Sequence, residues 1–240
     1  MEHAGYSETF LRNRMLLGDA AMDRLAHAHV AVLGLGGVGG YAAEALARAG
    51  VGALTVVDHD EVGETNLNRQ MCALHSTIGA LKADAVHARL TDINPSLRIR
   101  ALALRYTAEN REAFFDVSYD YIIDAIDVVT NKLDLIETAL SRGIPIISAL
   151  GTGNKLEPEL LRITDISMTK VCPLARVIRK ELRHRGIHHH MVLWSSEETC
   201  VPAALEEPPA GRRSVPASVP WVPACAGFML AGFAVRKLIV

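Results

Sequence analysis

Short apolar runs alternate with amphipathic stretches along the first two-thirds of the chain. The runs are rich in β-branched residues and have the length of a strand, whereas the stretches between them repeat their apolar residues at helical spacing. We predict strands over 29–34, 53–58, 97–104, 119–127 and 144–150, and helices over 37–50, 79–94 and 131–143. Nearly continuous apolar strands that alternate with helices are typical of a mostly parallel sheet with helices on both faces. The predicted fold class is therefore α/β, with a Rossmann-like, doubly wound sheet.

The pattern changes after Gly153. We predict an added C-terminal strand and helix segment, with strands over 160–166 and 191–195, a basic helix over 173–186 and an apolar helix over 222–240. Residues 202–223 hold six of the ten prolines, and such a composition is typical of a flexible surface loop. Because the length is close to that of one ordinary domain, we predict a single domain over 1–240.

Composition excludes several classes of protein. Half of the residues are hydrophobic and 22% are charged, which provides for a large core and excludes a disordered chain. The net charge of −2 excludes a chain-wide basic field, so any contact with nucleic acid must come from a local patch. The four cysteines are scattered and form no CxxC pair, which argues against a disulfide scaffold and a four-thiolate zinc site.

The two ends of the chain bear on its location. The first residues are charged and have no apolar segment, unlike a secretory signal. The apolar C-terminal stretch contains Arg236 and Lys237, and its uncharged run is shorter than the ~20 residues that cross a bilayer. We therefore expect a cytoplasmic protein without a membrane span.

Gly34, Gly36 and Gly39 form a GxGxxG pattern between a predicted strand and a predicted helix. Glycines at these positions permit a tight turn and let backbone N–H groups approach phosphate, while the helix N-terminus favours an anion. Asp58 ends the next strand, where an acidic side chain can accept hydrogen bonds from ribose hydroxyls. These features predict a nucleotide site, and a dehydrogenase would share them.

The charged residues that follow favour a triphosphate over a nicotinamide dinucleotide. Arg69 can pair with two phosphate oxygens, and Lys82 offers a compact positive charge. Asp127 follows the fourth predicted strand, at the edge of the sheet where ligands bind in this architecture. A carboxylate there suits a Mg²⁺ ion that bridges phosphate oxygens. An NAD-dependent oxidoreductase is the alternative that we rank last.

The sequence resembles the activating-enzyme superfamily of the ThiF, MoeB and HesA proteins in the elements GLGGVGG, DHDEVGETNLNRQ, GALK and DAID, which occur in order within residues 12–150. The resemblance implies ATP and Mg²⁺ as cofactors and the activation of a carboxylate by adenylation. It implies an N-terminal helical arm over 1–28, a nucleotide-binding core over 29–153 and a substrate or dimer region over 154–240. The catalytic residues that it implies are Arg14, Arg69, Lys82 and Asp127, with Asp127 as the metal ligand. The nucleotide-binding residues that it implies are Gly34, Gly36, Gly37, Gly39, Asp58, Asp60, Asn66, Arg69, Gln70 and Lys82.

The resemblance also implies a homodimer. Members of the superfamily carry an N-terminal arginine that reaches into the neighbouring protomer's site, and Arg14 matches it. We therefore expect Arg14 to act in trans.

Two classes of carboxylate substrate compete. The first is the C-terminus of a ubiquitin-like sulfur-carrier protein, but relatives of that kind usually have paired CxxC motifs, which this chain lacks. The second is tRNA that bears N6-threonylcarbamoyladenosine, because residues 148–158, 165–176 and 216–223 resemble the tRNA threonylcarbamoyladenosine dehydratase branch. In that branch an internal group of the modified nucleoside attacks the activated carboxylate, so no enzyme thiol is required and we do not expect Cys172 to be catalytic.

Local charge is consistent with the tRNA interpretation. Residues 170–185 contain six Lys or Arg and one acid, which suits phosphate contacts, although a solvated helix face is the alternative. Arg212 and Arg213 could add to this charge. We expect the three consecutive histidines, residues 188–190, to face solvent. A monovalent cation in a loop and a cysteine desulfurase or sulfur-acceptor partner remain open.

Overall fold

A mixed sheet forms the centre of the fold. The computed structural model describes residues 8–203, 205 and 216–240. Its strands are β1 (His29–Leu33), β2 (Ala53–Val57), β3 (Arg98–Leu102), β4 (Tyr121–Asp124), β5 (Ile146–Ala149), β6 (Leu161–Asp165) and β7 (Met191–Ser195). Their order across the sheet is β3-β2-β1-β4-β5-β7-β6, and every neighbouring pair is parallel except β6 with β7.

Helices cover both faces of this sheet. They are α1 (Leu11–Leu17), α2 (Asp19–His27), α3 (Gly39–Ala49), α4 (Lys82–Ile93), α5 (Arg111–Phe114), α6 (Val129–Ser141), α7 (Pro173–His184) and α8 (Trp221–Leu238). The central strand β1 shows why two layers of helix are needed: Val30 and Val32 pack with α3, α4 and α8, whereas Ala31 and Leu33 pack with α5, α6 and α7. A parallel strand that is apolar on both faces must be covered on both, so the predicted doubly wound α/β fold is confirmed.

Several predicted boundaries were too long. The fourth strand was predicted to reach residue 127, but β4 ends at Asp124, whose Oδ1 accepts a hydrogen bond from the backbone N–H of Ile126 and turns the chain out of the sheet. The helix predicted from residue 79 begins at Lys82, because Gly79 has a φ of 84°, in the left-handed region.

The predicted loop over 202–223 also ends too late. Helix α8 begins at Trp221, and Pro223 fits its first turn because the backbone N–H that proline lacks has no partner within the helix there. Residues 204 and 206–215, including Arg212 and Arg213, lie outside the described residues. Among the residues that the structure covers, no helix has the length and apolar character needed to span a membrane.

Candidate functional site

A cavity of about 380 Å³ opens at the carboxyl ends of β1, β2 and β4. Ligands bind at this edge in doubly wound folds, and the volume lies within the range of small-molecule sites. Eleven of the predicted site residues line it: Gly34, Gly36, Gly37, Gly39, Asp58, Asp60, Asn66, Arg69, Gln70, Lys82 and Asp127. The fold therefore brings together residues that are far apart in the sequence.

The glycine turn leaves no room for side chains at two positions. A Cβ atom on Gly39 would lie 1.8 Å from the carbonyl oxygen of Gly34, and one on Gly34 would lie 2.5 Å from that of Ala125. Gly34 also has a φ of 86°, which side chains disfavour. Helix α3 begins at Gly39, so its N-terminal turn lies at the cavity with its partial positive charge.

Asp58 holds this turn in place. Its Oδ2 accepts a hydrogen bond of 2.6 Å from the backbone N–H of Leu35, and its Oδ1 accepts one of 2.9 Å from that of Asp60. The side chain is buried beside the cavity. Each carboxylate oxygen keeps a second lone pair, so the predicted contact with ribose stays possible.

Lys82 supplies a buried cation to the cavity wall. It is 5% exposed, and its Nζ donates a hydrogen bond of 2.8 Å to Oδ2 of Asp60. Partial burial opposes ionisation of Asp60, but the hydrogen bond and the charge of Lys82 lower the pKa of Asp60 below its usual value. The Asp60 carboxylate is therefore ionised at neutral pH, and Nζ of Lys82 lies at the cavity wall, where a second anionic partner can reach it.

Arg69 lies on a turn whose shape is fixed by Asn66. Oδ1 of Asn66 accepts a hydrogen bond of 3.1 Å from the backbone N–H of Gly63, and the chain then forms a short 3₁₀ helix. Nη1 of Arg69 donates to the carbonyl oxygen of Thr65 and to Oδ1 of Asn68, both at 2.9 Å. Burial lowers the pKa of Arg69, as expected for a guanidinium that is partly removed from water.

Gln70 has an unpaired polar atom beside the cavity. The residue is 7% exposed, and its Oε1 is buried without a hydrogen-bond partner within the described part of the chain. Buried polar atoms are nearly always paired, so an unpaired one that lines a cavity indicates a ligand or water there.

Asp127 is exposed at the cavity, in the connection between β4 and α6. The neighbouring Asp124 is fully buried instead, and its Oδ2 accepts a hydrogen bond of 2.7 Å from Nζ of Lys132, which is also fully buried. The sequence prediction did not include this ion pair. Asp124 and Lys132 are eight positions apart, at the end of a strand and the start of a helix, which is compatible with a contact. This spacing alone does not indicate that both charges are buried.

Two further residues at the cavity were missed. Arg105 donates from Nη2 to Nε2 of His59 at 2.7 Å, and Tyr106 donates to Oδ2 of Asp134 at 2.8 Å. Burial, together with this carboxylate, raises the pKa of Tyr106, which keeps its hydroxyl protonated. Both follow β3 in a stretch without a recognisable motif.

Arg14 does not line the cavity of its own chain. It lies on α1, where its guanidinium pairs with the carboxylate of Asp19. The predicted role in a partner's site is untested by a single chain.

Helix α7 presents an exposed basic stripe, formed by Arg176, Lys180 and Arg183. The three residues share one face because they are spaced by four and three positions. The other two arginines of the predicted basic segment are held by neighbouring groups: Arg179 by Thr169, and Arg185 by Glu137 and Glu181.

The expectation that all three consecutive histidines face solvent was wrong for His190. His188 and His189 are exposed, but His190 is 4% exposed and its Nε2 lies 2.8 Å from Oγ of Ser148. It directly precedes the buried strand β7, which carries its ring into the interior. Cys172 is also buried, and its sulfur caps α7 by accepting a hydrogen bond from the backbone N–H of Ala175.

Named proteins are similar to this chain over 70–99% of its length. The tRNA threonylcarbamoyladenosine dehydratase of Bacillus subtilis (strain 168) is 42% identical over 239 residues, covering 96% of this chain and 94% of that protein. The enzyme of the same name from Escherichia coli (strain K12) is 40% identical over 168 residues, covering 70% of this chain and 63% of that protein. A crystal structure of E. coli tRNA N6-threonylcarbamoyladenosine dehydratase, TcdA, in complex with ATP superposes with a TM-score of 0.89 at 32% identity, over 99% of this chain and 96% of that one.

The family comparison covers the glycine turn, the charged cavity residues and α6. Residues 10–177 match the ThiF family. The matched segment includes every predicted site residue, and the chain therefore belongs to the ThiF family.

Proposed function

We propose that this protein catalyses the ATP-dependent dehydration of N6-threonylcarbamoyladenosine in tRNA, in which activation of the carboxylate leads to a cyclic product. The observation on which this depends is that one cavity gathers the glycine turn, Arg69, Lys82 and Asp127 in a chain that is similar throughout its length to enzymes of that name. The similarity to the Bacillus subtilis dehydratase extends beyond the nucleotide core into residues 154–240.

The cavity fits a nucleoside triphosphate. The glycine turn has the close backbone approach that phosphate requires, because side chains would fill it at Gly34 and Gly39. The unpaired Oε1 of Gln70 is a buried acceptor that a ligand or its ordered water can satisfy. Lys82 and Arg69 provide the positive charge that a triphosphate needs.

The residues also fit Mg²⁺, with Asp127 as the protein ligand. Magnesium prefers carboxylate oxygens together with phosphate oxygens. Asp124 cannot fill this role, because it is fully buried and does not line the cavity. Asp127 is instead an exposed residue that lines the cavity.

The protein's contribution to the chemistry is mainly position and charge. When bound, ATP supplies the phosphate that converts a poor leaving group on the substrate carboxyl into a good one. The backbone N–H groups of the glycine turn and the N-terminus of α3 stabilise phosphate charge, and Arg69 and Lys82 stabilise the charge that develops on the departing phosphates. Orientation of the nucleoside then lets its own internal group attack the activated carboxyl carbon. The bond from that carbon to the phosphate-bearing oxygen breaks, the phosphate group leaves with this oxygen, and the attacking group loses its proton, so that the nucleoside loses the elements of one water.

The basic stripe of α7 supports tRNA as the partner. Its three cations are exposed, and the N-terminus of the helix lies at the same edge of the sheet as the cavity, since Cys172 packs against Gly151 just after β5. Phosphate contacts from such residues supply salt-sensitive affinity. The alternative is adenylation of the C-terminus of a ubiquitin-like carrier protein, which the absence of CxxC pairs in the sequence disfavours.

Several finer assignments remain proposals on the basis of the resemblance: a homodimer with Arg14 acting in trans, action in the cytoplasm, a monovalent cation and a sulfur-transfer partner.

The decisive experiment is mass spectrometry of nucleosides from modified tRNA after incubation with protein, ATP and Mg²⁺. We expect N6-threonylcarbamoyladenosine to lose one water with the wild-type chain. Asp127→Asn should slow this conversion by about 100-fold or more, because loss of a group that stabilises transition-state charge typically has this effect.

The matched control is Asp92→Asn, which neutralises an exposed carboxylate on α4 away from the cavity. It should convert the nucleoside at the wild-type rate. Unchanged nucleoside with the wild-type chain, together with ATP-dependent adenylation of a carrier protein, would overturn the proposal in favour of the alternative.

A further inference from the structure

Four polar side chains are buried together behind the wall of the cavity. Asp124, Lys132 and Ser148 are fully buried, and His190 is 4% exposed. Asp124 pairs in register with Ser148 across β4 and β5, and Ser148 bonds to His190. None of the four lines the cavity, so none of them can touch a ligand there.

The ion pair within this group joins the end of a strand to the start of a helix. Asp124 is the last residue of β4, and Lys132 lies in the first turn of α6, where its backbone N–H bonds to the carbonyl oxygen of Val128. The connection between β4 and α6, residues 125–128, forms part of the cavity wall along its whole length and contains Asp127.

Asp124 also controls the first part of this connection directly. Its Oδ1 accepts a 3.0 Å hydrogen bond from the backbone N–H of Ile126, while its Oδ2 accepts the 2.7 Å bond from Lys132. One carboxylate thus fixes both the residue before Asp127 and the helix that follows it.

Stability alone does not explain such a pair. Two fully desolvated charges contribute little net stability compared with apolar side chains of similar size, although removal of only one partner is strongly destabilising. The geometry that the pair imposes on the connection is a better explanation, since Asp127 lies between the two fixed points.

We infer that Asp124 and Lys132 are positioning residues that hold the carboxylate of Asp127 at the cavity for a metal-bound nucleotide. The inference rests on the proposed function for the role of Asp127. Loss of the pair should let the connection shift, and the main effect on binding should come from displacement of Asp127, the one carboxylate within residues 125–128.

The test is calorimetric titration with ATP, in Mg²⁺ and in EDTA, of the variant Asp124→Asn/Lys132→Met. This variant removes both charges together and so avoids a lone buried ion. We expect its affinity for ATP in Mg²⁺ to fall about 10- to 100-fold, as misplacement of a key group by about 1 Å can cause, and its affinity in EDTA to change less than 2-fold.

The same double change is then made in the Asp127→Asn background, where it should weaken ATP binding in Mg²⁺ less than 2-fold further. Equal losses in both backgrounds, or equal losses with and without Mg²⁺, would indicate general structural damage and overturn the inference. If the double variant does not fold, Asp124→Asn/Lys132→Gln also removes both charges but pairs two amides that can hydrogen-bond to each other, and it is tested in the same way.

The control variant Arg100→Met/Asp116→Asn removes a different ion pair, which joins β3 to the surface beyond α5 and does not line the cavity. It should bind ATP as the wild type does. Failure of the proposed function is seen separately, because it would leave modified tRNA unchanged by the wild-type chain whatever the binding cycle shows.

Discussion

His190 is a histidine whose surroundings keep it neutral. Burial, followed by the positive charge of Lys132, lowers the pKa of His190 to about 3, and the carboxylate of Asp165 only partly opposes this. The neutral ring can then share a hydrogen bond with Ser148 without placing a second cation beside Lys132.

This burial predicts a pH dependence of stability. The pKa of His190 is about 3 in the folded chain and near 6.5 in the unfolded chain, so between these values the unfolded state binds the extra proton and the free energy of unfolding falls as the pH falls. From pH 7 to pH 5 this one group should lower it by about 2 kcal/mol.

The measurement is urea unfolding at pH 7 and pH 5 for wild type, His190→Asn and His188→Asn. The first variant should show a smaller drop between the two pH values, by about 2 kcal/mol, because the titrating ring is gone. His188 is exposed, so its variant should keep the wild-type drop. An equal drop in all three proteins would contradict the prediction.

Single residues differ in how far the sequence could predict them. Gly34 and Gly39 were identifiable because close backbone contacts admit no side chain, and this restriction is visible as a motif. The pair of Asp124 and Lys132 was not, since burial of a charge depends on which helices cover it. The position of Arg105 at the cavity was not predictable either, because it lies in the connection between β3 and α5, whose path the sequence pattern does not indicate.

Helix α8 packs directly against α3. A Cβ atom on Gly227 would lie 2.4 Å from the carbonyl oxygen of Val38 and 2.9 Å from Cβ of Tyr41. Pro223 likewise packs near Gly37, at 3.2 Å from the position of its absent Cβ. The apolar C-terminal helix therefore supports the glycine turn from behind.

Gly227→Ala should destabilise the protein by about 1–3 kcal/mol, because the added methyl group must push α3 and α8 apart. For a chain of this size that corresponds to a fall in Tm of roughly 2–4 °C per kcal/mol, measured by differential scanning calorimetry. ATP affinity should fall with it, since Val38 lines the cavity.

Gly232→Ala is the matched control on the same helix. Its new methyl group would meet only the flexible end of Arg236, at 3.6 Å, and alanine favours the helix. We expect an unchanged or higher Tm. Equal losses for the two variants would show that close packing at Gly227 is unimportant.

Elements were largely predictable because the alternation of apolar residues indicates buried strands and amphipathic helices. Strand β7 was predicted with its observed bounds, and Gly50 ends α3 in the left-handed conformation typical of a helix end. The end of β4 and the start of α4 were not predicted correctly. They depend on a hydrogen bond to the side chain of Asp124 and on the turn at Gly79, and neither changes the spacing of the apolar residues.

The exposed apolar residues of α1 are consistent with the proposed homodimer. Leu11, Met15 and Leu16 are 50%, 71% and 85% exposed, and they flank Arg14 on the same short helix. An arginine that acts in trans would require this helix to lie against the second chain.

Mixed dimers of Arg14→Ala and Asp127→Asn chains test this arrangement. Each variant alone should be nearly inactive, but a mixed dimer has one site in which both residues are intact if Arg14 comes from the partner. Random mixing should therefore restore about a quarter of the wild-type dehydration rate, measured on modified tRNA. No recovery, with mixing verified by differently tagged chains, would place Arg14 in its own chain's site or outside the reaction.

The contact between α8 and the glycine turn has a consequence for protein synthesis. The ribosome makes the turn early and the helix behind it late, so a nascent chain lacks the surface that shapes its phosphate loop until nearly all the described residues have emerged. Under the proposed function, we therefore expect ATP to bind only after this late contact has formed.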